Sequence, residues 1–128
     1  MDVIVDSSLW IEGLRGQTIA EIEAAIADGT IVLPPLVVAE LLSGDLTPQD
    51  REFIGDLLQE FSLHETPLRH WMLVGELRRF LAARGVNVTI PDAHVAQCAI
   101  DRDAKLLSRD DIFVLIAKHT SLRLAHLR

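Results

Sequence analysis

Cysteine occurs once in this 128-residue chain, tyrosine not at all, and aromatic residues make up only 5% of it. A single cysteine, Cys98, excludes an internal disulfide and fits a reducing compartment. It falls inside a helical apolar pattern and reads as a packing residue. Long apolar runs are missing as well. Hydrophobic residues reach 49%, yet no stretch approaches the ~18 residues of a membrane span. No basic N-terminal region leads into an apolar segment either, so a cytoplasmic protein without a membrane partner is expected. The five histidines (His64, His70, His94, His119, His126) show neither paired i,i+4 spacing nor a nearby cysteine cluster. They therefore read as surface or packing residues, which disfavours a zinc hydrolase. A glycine-rich phosphate loop and a Gly-x-Ser-x-Gly elbow are both lacking.

Positive charge is scarce, and unevenly so. The net charge is −7, which argues against generic nucleic-acid binding, because polyanions are held by counterion release to Lys and Arg. Residues 1–65 carry two basic groups (Arg15, Arg51) against thirteen acidic ones, a net of −11. Residues 66–128 carry ten basic against six acidic, a net of +4. The folded chain is thus able to present a basic rim beside an acidic surface. Mean hydropathy of +0.27 is high for a small domain, and the surplus apolar surface is expected to face a partner such as a second copy.

What is present is an alternation of short apolar strands and helical patterns. Residues 3–6 (Val-Ile-Val-Asp), 30–33 and 105–107 read as strands, 62–65 as a brief one and 122–127 as the last. Helical spacing occupies 19–27, 36–43, the stretch after Thr47, 67–84, 91–100 and 112–118, with Thr47-Pro48-Gln49-Asp50 forming a capping box. Residues 86–90 alternate weakly and are expected to be extended. Asp103 stands where the chain must turn, and Asp tolerates the left-handed region better than most residues. Strands separated by helices imply right-handed crossovers and a mainly parallel sheet covered on both faces, in one α/β domain spanning 1–128.

Four carboxylates occupy matching apolar settings. Asp6 and Asp110 each follow a buried strand, where ligands collect in open parallel sheets, although an acid there also serves as an ordinary helix cap. Glu40 is ringed by Val37, Val38, Leu41 and Leu42, and an unpaired buried carboxylate needs an arginine or a cation. Asp92 follows Pro91 at a helix start. Four carboxylates without soft ligands select a hard cation, Mg²⁺ or Mn²⁺, able to bind a phosphodiester and activate a water. Arg109, Lys105 and Arg102 are candidates to hold flanking phosphates.

The motifs Val3-Ile4-Val5-Asp6-Ser7-Ser8, Val38-Ala39-Glu40-Leu41, Ile90-Pro91-Asp92-Ala93 and Leu106-Leu107-Ser108-Arg109-Asp110, in that order and spacing, resemble the PIN-domain ribonucleases, specifically the VapC-type toxins of toxin–antitoxin pairs. The resemblance implies a three-layer α/β/α sandwich and a Mg²⁺- or Mn²⁺-dependent endoribonuclease. It also implies an acidic quartet of Asp6, Glu40, Asp92 and Asp110 as catalytic metal ligands, with Ser7 and Ser108 orienting the acids. A homodimer, an RNA substrate and a neutralising antitoxin follow from it too. The family's additional acid two residues beyond Asp110 is replaced here by Ile112, with Asp111 displaced by one, and Asp103 stands where glycine is frequent. A PIN-type nuclease of RNA processing or DNA cleavage, and a catalytically idle interaction module, are the alternatives.

Overall fold

The computed structural model describes all residues from Met1 to Arg128. Its elements run β1 (Val3–Val5), α1 (Ser7–Leu14), α2 (Ala20–Asp28), β2 (Val32–Leu33), α3 (Pro35–Leu42) and α4 (Pro48–Glu60). They continue with β3 (Ser62–Leu63), α5 (Leu68–Ala82), α6 (Ile90–Arg102), β4 (Lys105–Ser108), α7 (Asp111–His119) and β5 (Arg123–His126). All strand pairing is parallel. β4 lies between β1 and β5, while β2 pairs with β3. A bridge from Val3 to Ile31, with the Val3 amide donating to Thr30 O at 2.8 Å, joins the two sets in the order β3-β2-β1-β4-β5. Helices cover both faces, giving the three-layer α/β/α sandwich.

The central strands are apolar on both faces, as a doubly covered parallel sheet requires. Ile4, Val5, Leu106 and Leu107 are all buried and belong to one cluster of 31 buried hydrophobic residues that also takes in Leu9, Val37, Leu81, Val95 and Phe113. Truncating a side chain such as Leu106 to alanine costs about 2–5 kcal/mol in such a setting.

Local chemistry sets the element boundaries. Thr47 Oγ1 accepts the Asp50 amide at 3.1 Å while Asp50 Oδ2 accepts the Thr47 amide at 3.0 Å, so the expected capping box opens α4. Asp103 adopts φ 51°, ψ 37° and ends α6 in the left-handed region. Its carboxylate accepts two bonds from Arg123, at 2.7 and 3.2 Å, which tie this turn to β5. Residues 86–89 pair with no strand; they link α5 to α6, with Thr89 in extended geometry, and α6 begins already at Ile90. Val86 and Val88 are buried there, and Arg78 Nε fastens the link by donating to Val88 O at 2.8 Å.

Candidate active site

Sheet topology decides where the carboxylates meet. From β1 the chain steps to β2 and β3 on one side, and later to β4 and β5 on the other. The order therefore reverses between β1 and β4, and ligands of open α/β sheets bind at such a switch point, beyond the carboxyl ends of the strands. Asp6 follows β1 there. Ser108 ends β4 and Asp110 follows two residues later. The Asp6 amide donates to Leu107 O at 3.0 Å, which extends the pairing to the threshold of both helices.

Asp6 sits at the N-cap position of α1, yet its side chain makes no capping bond. Its Oδ2 instead accepts two hydroxyls, Ser8 at 2.9 Å and Ser108 at 3.0 Å, and the residue is only 8% exposed. Ser108 Oγ in turn accepts the Asp110 amide at 3.0 Å, so one buried hydroxyl links the two acids. Asp110 also serves its own helix, accepting the Ile112 amide at 3.0 Å, and is exposed. Thr89 caps α6, accepting the Asp92 amide at 3.3 Å, which leaves the Asp92 carboxylate in the first turn without a capping duty.

Electrostatics brings the four into one neighbourhood. The Glu40 carboxyl is raised above its ordinary value, first by burial and then by the charge of Asp6, with a smaller contribution from Asp92; the nearby Ser7 hydroxyl pulls it partly back. Asp92 is raised by burial, with Thr89 opposing and the charges of Asp110 and Asp6 adding to the rise. Glu40 and Asp92 thus feel other members of the quartet, and none of the four pairs with a basic side chain. The ion pairs in the structure lie elsewhere: Arg102 with Asp2, Arg109 with Glu12, Arg123 with Asp103, His70 with Asp101 and His126 with Asp111. A set of partly desolvated, mutually repelling carboxylates with no soft donor among them matches the donor set of a hard divalent cation. Asp111 points away to His126 and is almost fully exposed, whereas Ile112 packs against the core.

The basic residues singled out from the sequence are placed differently. Lys105 opens β4 and pairs in register with Val3, so it lies at the edge of the sheet opposite the acids. Arg102 ends α6 at that same edge, bonded to Asp2 just ahead of β1. The structure does not bring either residue to the quartet. Strand direction is the reason, since the amino ends of parallel strands share one edge and their carboxyl ends the other. Arg109 is beside Asp110, but its guanidinium is committed to Glu12, at 3.1 Å, and to the Arg128 carbonyl.

Sequence reasoning missed two other cations. Arg78 and Arg79 on α5, with Asn87, Val88 and Thr89, line an open groove of about 500 Å³. Thr89, in the same lining, is the residue that caps the helix of Asp92. Neither arginine has an acidic partner. The signal was available as the Arg-Arg pair on the longest helix, in the half of the chain with positive net charge.

The histidines divide into two exposed ones, His119 and His126, and three interior ones. His64, His70 and His94 are buried, and they gather around Cys98. His70 Nε2 lies 2.7 Å from His94 Nδ1, Cys98 Sγ lies 3.6 Å from His94 Nε2, and Trp71 stacks on His94 at 4.6 Å. Burial and the neighbouring histidines lower His94 to about 4, and burial pushes the Cys98 thiol up to about 12. The i,i+4 pair His94 and Cys98 was the visible hint; His64 and His70 come from other elements.

Known structures share this fold. A chain of the VapBC2 complex from Rickettsia felis, crystallised with a DNA fragment from its promoter, superposes with a TM-score of 0.80 at 17% identity over 100% of both chains. DNA-bound VapBC from Salmonella typhimurium gives 0.81 at 16% identity over 98% of both chains. VapBC-5 from Mycobacterium tuberculosis, a member of the VapBC family of toxin–antitoxin systems, gives 0.71 at 22% identity, covering 99% of this chain and 100% of the other. The family model described as PIN domain matches residues 3–119. With a match over nearly its whole length, and with acids gathered at the switch point of a parallel sheet, the chain belongs to the PIN domain family.

Proposed function

We propose that this protein is a divalent-metal-dependent endoribonuclease, the toxin of a toxin–antitoxin pair, with Asp6, Glu40, Asp92 and Asp110 as its catalytic carboxylates. The observation that carries the reading is that Asp6, Ser108 and Asp110 are joined by hydrogen bonds at the switch point while Glu40 and Asp92 are raised by burial and by the charges of their fellow acids, with no basic side chain paired to any of the four. Asp6, Glu40 and Asp92 are the ligands for Mg²⁺ or Mn²⁺, with Asp110 contributing at the open side. When bound, such a cation supplies charge neutralisation for the phosphodiester and lowers the pKa of a coordinated water.

The chain's own residues do the rest. Ser8 and Ser108 saturate Asp6 Oδ2 and so fix the orientation of its carboxylate. Glu40 and Asp92, whose ionised forms are disfavoured by burial and by neighbouring acids, are the groups that gain most from a bound cation. Arg78 and Arg79 hold the flanking RNA backbone along the groove they line with Thr89. In the hydrolysis the oxygen of water bonds to phosphorus as the P–O bond to the leaving ribose oxygen breaks, that oxygen takes up a proton, and the products are a terminal phosphate and a free hydroxyl.

Similarity to chains of VapBC complexes supports a cognate antitoxin as the protein partner. Exposed Leu68 and Met72 on α5 and Leu42 on α3 supply apolar surface for that partner and for a homodimer. The test is direct: purified protein, structured RNA and Mg²⁺, with RNA ends mapped by sequencing. New ends are expected with the wild type, and none with Asp92→Asn or in excess chelator. Identical end profiles for wild type and Asp92→Asn would overturn the assignment.

A further inference from the structure

We propose a second metal site, distinct from the acidic one: a zinc-class cation bound by His64, His70 and Cys98, which clamps the β3–α5 connection to α6. One donor atom from each of these three residues lies within 4.8 Å of the other two, and all three residues are buried. They come from three separate elements. His64 directly follows β3 and its amide donates to Leu33 O at 2.9 Å; His70 is on α5 and Cys98 on α6.

The hydrogen bonds of the cluster leave one buried nitrogen, His64 Nδ1, without a partner. Asp101 Oδ2 lies 3.2 Å from His70 Nδ1, and Gln97 holds the other Asp101 oxygen at 2.8 Å. With Nδ1–H donated to the carboxylate, His70 presents the Nε2 lone pair to Cys98 and His94. A carboxylate behind a histidine in this way is the usual support of a metal-bound imidazole. His94 and Cys98 can complete a chain of neutral hydrogen bonds to His70. His64 Nδ1 cannot join it: it is the one buried side-chain nitrogen or oxygen in the protein with no partner. A residue only 7% exposed does not retain an unsatisfied nitrogen without cost, and a bound ion is one of the few remedies.

Donor chemistry names the ion. Two imidazoles and a thiolate are soft to borderline ligands that select Zn²⁺ over Mg²⁺. Tetrahedral sites with bonds of about 2.0–2.3 Å hold their donors roughly 3.4–3.8 Å apart. Side-chain shifts of about 1 Å or less close the cluster to that size. His94, 2.7 Å from His70 and 3.6 Å from Cys98, is the nearest group to the fourth position, and its ring is stacked on Trp71. The ion would fix α6, whose first turn carries Asp92, so it acts on the acidic site through the helix without entering it.

Co²⁺ titration of the chelator-stripped, full-length protein separates this site from the acids, because only a thiolate gives an intense near-ultraviolet charge-transfer band with cobalt. Expected are a band saturating at one equivalent, its displacement by Zn²⁺, and a rise in Tm with Zn²⁺. Asp92→Asn should keep the band. Cys98→Ala should lose it together with the Tm rise. Asp101→Asn should bind about 10–100-fold more weakly. His64→Ala removes a nitrogen that bonds to nothing, so it should fold even where Cys98→Ala does not, and should lose the band. A wild type without the band, or a band unchanged in His64→Ala, would overturn the proposal.

Discussion

Ser108 Oγ donates to Asp6 Oδ2 at 3.0 Å across the seam between β4 and β1, joining residues 102 positions apart. The same oxygen accepts the amide of Asp110. Ser108→Ala therefore removes one of the two hydroxyls on Asp6 and strands a backbone donor. Under the proposed function, RNA cleavage should fall at least tenfold, mainly in kcat, with stability lowered by about 1–3 kcal/mol in urea unfolding. Ser8→Ala, at the exposed partner, should cost less on both measures.

Removing a charge from the quartet should abolish catalysis while strengthening the metal-free fold. Burial and neighbouring acids raise Glu40 and Asp92, so each ionised group is disfavoured in the native state. From pH 3.8 for Asp92, and 4.5 for Glu40, up to each raised pKa the folded protein binds more protons than the unfolded chain, so stability falls as pH rises through that window. In chelator, Glu40→Gln and Asp92→Asn should be at least as stable as wild type at pH 7, and the wild-type deficit should shrink with Mg²⁺. A lower Tm for both variants would show that the acids are held by something other than a cation.

His94 works in the opposite direction. Its pKa is lowered from 6.5 to about 4, so the unfolded chain takes up a proton first, and the stability this residue provides above pH 6.5 is lost as pH falls toward 4. The loss is on the order of 3 kcal/mol. Urea midpoints of Glu40→Gln/Asp92→Asn, where the acids no longer mask it, should drop steadily between pH 6.5 and 4.5.

Arg78 and Arg79 should govern affinity for RNA more than turnover. Arg78→Ala also loses its bond to the Val88 carbonyl, so Arg79→Ala is the cleaner probe. Substrate binding should weaken uniformly across RNA sequences, and the slope of log affinity against log salt should become shallower by roughly 0.7–0.9. An unchanged slope would move the RNA path to another face.

Much of this site was legible in the sequence because its acids break local patterns. Asp6 ends an apolar strand, Glu40 interrupts an apolar helix, and Asp103 stands at the turn that demands positive φ. Asp103→Gly should accordingly be nearly neutral, since it trades an exposed ion pair worth little for an easier backbone. Asp103→Val should lower Tm clearly. What the one-dimensional record could not convey was which edge of the sheet each cation reaches. Lys105 and Arg102 stand near Asp110 and Asp92 in number, yet a strand or helix length separates them in space. The gathering of His64, His70 and His94 at Cys98 was equally hidden, because helix-to-helix packing between α5 and α6 creates it and no single segment encodes it.

The parallel order of the sheet also dictates when the acids can assemble during synthesis. β4, the neighbour that carries Ser108 and leads to Asp110, is translated some hundred residues after β1. A nascent chain that has not yet reached Ser108 holds Asp6 without that hydroxyl, and long-range pairing of this kind forms late. An amino-terminal fragment that stops before β4 thus has no way to bring Asp6 and Asp110 together.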